Sequence, residues 1–115
     1  MELRCQPDGE LEGTIVVALD GSLDVQGAVE LWDRVTPELD ATTPSLLIDL
    51  SSVDLITSAG IGALVRLLHR VQSLGGHIAL FGPNPRVREV IKVVMLAEIF
   101  RLSDTAEEAR QHLRS

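Results

Sequence analysis

The ten residues LITSAGIGAL, 55–64, stand where an apolar run passes into a helical pattern, and they place Thr57, Ser58, Gly60 and Gly62 at the transition. Hydroxyls and glycines at such a turn serve nucleophilic catalysis, phosphate cradling or helix capping. Just upstream, SLLIDL (45–50) reads as a short strand that is apolar on both faces except at Asp49, the pattern of a central parallel strand covered by helices. Downstream, Ile61, Leu64, Val65, Leu68 and Val71 recur at helical spacing, with Arg66, His69, Arg70 and Ser73 off the stripe and Gly75–Gly76 as the stop. Strand, turn and helix in that order put Ser58 at or near a helix N-terminus.

Working outward, MELRCQ (1–6), the turn residues PDGELEG (7–13) and the β-type run TIVVAL (14–19) predict a strand pair. From Val25, the apolar positions Val25, Ala28, Val29, Trp32, Val35 and Leu39 predict a helix with that stripe turned inward, ending near DATTP (40–44), where Pro44 stops it. Trp32 is read as core. HIALFG (77–82) is a further buried strand. PNP (83–85) starts a helix with Asn84 as N-cap and Pro85 at its first position, and Val87, Val90, Ile91, Val94 and Met95 form its inward side. FRL (100–102) is expected as a short strand. SDTAEEARQHL (103–113) follows as a helix capped by Ser103 or Asp104, with Ala106, Ala109 and Leu113 inward. The alternation predicts an α/β fold: a single domain over residues 1–115, with a mostly parallel mixed sheet of four to five strands and about four helices.

A chain of 115 residues supports one core. Only 3% of residues are aromatic and the net charge is −7, so the composition offers neither a base-stacking platform nor a basic surface for a phosphate backbone or an anionic bilayer. Protein partners are favoured over direct nucleic-acid contact. The single cysteine, Cys5, allows no internal disulfide and reads as a strand residue; His69, His77 and His112 lack metal-ligand spacing, so no metal or cofactor is expected. The N-terminus lacks the apolar stretch of a signal peptide and no run approaches a membrane span, which predicts a cytoplasmic chain without membrane insertion.

Enzyme chemistry at the 55–64 stretch is disfavoured. Ile56 stands where a G-x-S-x-G elbow needs its first glycine, and no histidine sits at a strand end as a base. GIGALV does not match G-x-G-x-x-G, and no G-K-[ST] occurs. Capping explains the residues economically: Thr57 or Ser58 caps the helix, while Gly60 and Gly62 let its first turn approach the sheet. A second polar loop, DGSLD (20–24), ends another strand. Because the carboxyl ends of parallel strands lie together, Asp20, Asp24 and Ser58 are expected on one face.

GSLD (21–24), LLIDLSSVDLITSAGIGALVRLLHRV (46–71) and GGHIALFGPNPRVREVIKVVML (75–96), in this order and spacing, resemble the STAS domains of bacterial anti-sigma factor antagonists over nearly the whole chain. The resemblance implies a non-enzymatic, phosphorylation-regulated binding module. Its partner would be an anti-sigma factor that is also a serine protein kinase, bound in the unphosphorylated state so that a sigma factor is released. A PP2C-type phosphatase would restore that state. Carried over by position, the acceptor is Ser58, with Thr57 as the alternative, and Asp24, Ser58, Gly60 and Gly62 belong to the partner-binding surface. Thr57 stands where the family's commonest pattern has Asp, a place where stressosome scaffold subunits also carry variants. The resemblance extends to such scaffolds and to the cytoplasmic STAS subunit of phospholipid-transport ATPases.

Overall fold

Two parallel strands form the centre of the molecule. In the computed structural model, which describes residues 1–94 and 98–114, strand β2 (Thr14–Leu23) runs parallel to β3 (Ser45–Ile56), from Thr14 beside Ser45 to Leu23 beside Ile56. Register irregularities after Ala18 and Gly21 accommodate the longer β3. Strand β1 (Glu2–Pro7) pairs antiparallel with β2, and β4 (Ile78–Phe81) pairs parallel with β3, giving the order β1-β2-β3-β4. Helices α1 (Val25–Val35), α2 (Ser58–Ser73), α3 (Pro85–Val93) and α4 (Ala106–Arg114) complete the chain, with a 3-10 turn over Thr36–Glu38. A four-stranded mixed sheet with four α-helices is the architecture the sequence predicts.

The sheet is covered unequally. On one face Leu31 of α1, Leu64, Leu67 and Val71 of α2, Val87 and Ile91 of α3 and Phe100 pack over Val17, Leu19, Leu46, Ile48 and Leu50. Each fully buried aliphatic side chain contributes about 1.5–3 kcal/mol relative to exposure, so this cluster dominates stability. On the other face α4 covers only Leu47 and Ala79 with Ala109, flanked by Val16, Phe81 and Leu113. A partly buried ion pair holds α4 against the first hairpin: Arg110 donates to both carboxylate oxygens of Asp8 at 3.1 and 3.0 Å and reaches Glu10 at 3.1 Å. Burial pushes the Asp8 carboxyl up, but the Arg110 hydrogen bond and charge, with the Leu11 and Glu10 N–H groups, outweigh it and hold it below its ordinary value.

Several expectations are corrected. The inward line of α1 is Gly27, Leu31 and Val35, whereas Val25 and Val29 are exposed and Trp32 is half-buried at the core's edge. In α3 Val87 and Ile91 are buried, but Val94 lies past the helix end and is exposed; Met95 lies outside the described residues. FRL does not form a strand. Arg101 takes φ 50°, a left-handed conformation that breaks an extended run, so the segment meets β4 only through the Phe81–Ser103 bridge and neighbouring backbone bonds. The hydroxyl capping α4 is Thr105, which accepts the Glu108 N–H at 3.2 Å, rather than Ser103, which is buried against β4, or Asp104, which pairs with Arg88.

Candidate functional site

The carbonyl of Leu23, the last residue of β2, organises the site. It accepts the Thr57 backbone N–H at 3.1 Å and the Thr57 hydroxyl at 3.3 Å, which fastens the start of α2 to the end of β2. The same Thr57 oxygen accepts the Gly60 N–H at 3.4 Å, so Thr57 is the N-cap and Ser58 the first helical residue. Thr57 is thereby committed to the fold through both ends of its hydroxyl dipole. Ser58 is exposed, and its hydroxyl makes no hydrogen bond among the described residues.

The two glycines differ. A Cβ on Gly60 would lie 2.3 Å from the Leu23 carbonyl oxygen and 2.8 Å from the Leu23 side chain, a contact no residue but glycine permits. A Cβ on Gly62 would meet nothing within 4 Å. The expectation that both serve close packing holds for Gly60 and fails for Gly62, which two residues on, about 200° further round the helix, faces away from the sheet.

Asp24 follows Leu23 directly and caps α1, its carboxylate accepting the Gly27 N–H at 2.9 Å. The shared Leu23 junction therefore sets the N-termini of α1 and α2, and with them Asp24 and Ser58, side by side. Asp20 does not join them. It lies opposite Glu2 in the regular β1–β2 ladder, and the pleat that points Leu19 and Leu23 toward α1–α3 sends Asp20 to the other face. Ser22 and Asp54 were not singled out by sequence reasoning: the Ser22 hydroxyl donates to Asp54 at 2.9 Å, tying the ends of β2 and β3 together and adding a second carboxylate to the rim. The GSLD motif contains Ser22, but only the parallel register that brings it beside Leu55 reveals Asp54 as its partner.

Chemically, the site presents a free primary hydroxyl at a helix start whose first N–H groups have no carbonyl one turn back in the helix. Such a terminus tolerates added negative charge. Ser58 stands on open surface, whereas a cleft of about 640 Å³ lies elsewhere, beside β1, lined among others by Glu2, Arg4, Asp20, Arg34 and Asp49. Burial pushes the half-buried Cys5 thiol up from its ordinary value, against the opposing charge of Arg34. No group of three or more His, Cys, Asp or Glu side chains suited to a metal occurs among the described residues.

The STAS domain family model matches residues 9–109. This chain belongs to the STAS domain family. The STAS domain is 38% identical over 105 residues to a protein of Thermotoga neapolitana named as a candidate anti-sigma factor antagonist, covering 90% of this chain and 93% of that one. Its fold superimposes on the crystal structure of a candidate anti-sigma factor antagonist from Thermotoga maritima with a TM-score of 0.85, at 24% identity over 98% of this chain and 95% of that one. It also matches the anti-sigma factor antagonist SpoIIAA in its unphosphorylated form, with a TM-score of 0.77 at 20% identity over 96% of each chain. The phosphorylated form of Bacillus SpoIIAA matches with a TM-score of 0.69, at 19% identity over 96% of this chain and 100% of that one. No described helix of this STAS domain is long and apolar enough to cross a membrane.

Proposed function

We propose that this STAS domain is an anti-sigma factor antagonist switched by phosphorylation of Ser58. Unmodified, it binds an anti-sigma factor that is also a serine protein kinase and so releases a sigma factor; a PP2C-type phosphatase resets it. The observation that carries this reading is the division of labour between the two hydroxyls, Thr57 held by Leu23 and Gly60, and Ser58 exposed beside it. The relatives named as anti-sigma factor antagonists support the partner class.

Phosphorylation adds a charge of about −1.5 to −2 at neutral pH. The N-terminus of α2 stabilises that charge, so the fold is retained in both states. A partner surface shaped for a neutral hydroxyl beside Asp24 and Asp54 must instead desolvate a dianion among carboxylates. A loss of about 3 kcal/mol at that contact weakens binding by roughly two orders of magnitude, enough to exchange partners.

The test is to incubate the wild-type chain with host cell extract and ATP, map the modified residue by mass spectrometry, and purify the kinase by following that transfer. Phosphate on Ser58 is expected, with Ser58→Ala unmodified. Phosphate mainly on Thr57, or on neither residue, contradicts the assignment.

A further inference from the structure

Strand β1 ends the sheet on one side with an open edge. It pairs with β2 alone, and no other backbone bond involves Glu2–Pro7 among the described residues, so every second residue of β1 turns its N–H and C=O outward. The opposite margin is covered, since Leu80 of β4 donates to the Phe100 carbonyl and accepts from the Ser103 N–H. A cleft of about 640 Å³, lined in part by Met1, Glu2, Leu3 and Arg4, opens along the free edge.

Side chains along this edge divide by face. Met1, Leu3 and Cys5 turn toward the main core and are only partly buried, whereas Glu2 and Arg4 are exposed on the other face. Glu2 stands directly opposite Asp20 in the β1–β2 ladder, a like-charge pairing that costs stability, and Arg4 stands opposite Ala18. None of the three charged side chains has an ion-pair partner among the described residues. The edge therefore carries one unrelieved acidic pair and, two residues along, one unused cation.

We propose that β1 pairs antiparallel with β1 of a second copy of this chain, about a two-fold axis at Leu3. The occupant follows from symmetry and charge. A two-fold axis perpendicular to the sheet keeps the helices of both copies on one side, and because paired residues share a face, the register centres on a residue. Centred on Glu2 or Arg4, it opposes like charges. Centred on Cys5 or Gln6, the ladder runs into Pro7, which has no N–H to donate. Centred on Leu3, it sets Glu2 beside Arg4 of the second copy, and the reverse, with Leu3 against its own counterpart on the core face. That arginine also brings the Glu2–Asp20 pair the cation it lacks.

Sedimentation equilibrium of the full chain at rising concentration tests the pairing. The wild type is expected to form dimers. Glu2→Arg and Arg4→Glu each turn two attractive pairs into repulsive ones and are expected to raise the dimer dissociation constant at least about tenfold. Both change exposed side chains, and circular dichroism verifies that the variants are folded. An equimolar mixture of the two single variants makes every cross-strand pair opposite in sign again and is expected to form a heterodimer. The double exchange, Glu2→Arg with Arg4→Glu, is expected to restore association of one chain with itself. A wild type that stays monomeric up to about 1 mM overturns the proposal. A dimer that both single variants retain unweakened, or a double exchange that associates no better than they do, overturns it as well, by placing the contact elsewhere or in another register.

Discussion

Gly60 and Gly62 are two residues apart, yet substituting alanine should have opposite effects on stability. At Gly60 the new methyl would drive into the Leu23 carbonyl, and forced repacking of this kind costs about 1–3 kcal/mol or more. At Gly62 the methyl enters open space and the helix gains about 0.5–1 kcal/mol. Denaturant unfolding of the two variants checks both signs; a destabilised Gly62→Ala would mean that Gly62 is held by the fold. Asp24 allows a comparable separation. Removing its cap in Asp24→Ala should lower stability by about 0.5–2 kcal/mol, whereas Asp24→Asn keeps the Gly27 bond and near-native stability while losing the charge. Clearly weaker kinase binding by Asp24→Asn, smaller at high salt, would assign Asp24 to the interface; unchanged affinity at low salt would leave it a cap alone. The pair of hydroxyls at 57 and 58 was legible in the sequence. Which one the fold consumes was not, because that depends on the Leu23 carbonyl, 34 residues away.

At the scale of elements, strand and helix order was readable because the parallel strands begin as apolar runs and the helices open on capping residues, as at Asn84–Pro85, although β2 and β3 continue past those runs to Leu23 and Ile56. The rotation of α1 was not. A periodicity count scores valines and passes over glycine, so it centred the stripe on Val25 and Val29, while Gly27 takes the buried position where Ser22 and Met1 approach. FRL misled for a related reason: Phe100 is fully buried, but the backbone conformation of Arg101 is invisible to a hydrophobic pattern. The clamp between Arg110 and Asp8 joins residues near opposite ends of the chain and was equally illegible. It carries a prediction. Because the folded Asp8 carboxyl titrates below its unfolded value, its contribution is complete above about pH 4 and is lost as pH falls through the lower folded value. Arg110→Ala should cost about 1–3 kcal/mol at neutral pH and move acid unfolding to higher pH, by leaving a buried carboxylate without its partner. An acid-unfolding midpoint equal to that of the wild type would deny the clamp any role.

For the molecule as a whole, three helices and Phe100 build the main core on one face, while the ends of β2 and β3 carry Asp24 and Ser58 to the start of α1 and α2. In the proposed switch, a phosphate on Ser58 would sit at helix N-termini over such a core and leave what lies beneath unchanged. The most direct test of the account is calorimetric titration of the purified serine kinase with Ser58→Ala and Ser58→Asp, alongside thermal unfolding of both. The account predicts tight binding by Ser58→Ala, binding weakened by one to two orders of magnitude for Ser58→Asp, and closely similar thermal stability. Equal affinities for the two variants, with both folded, would contradict it.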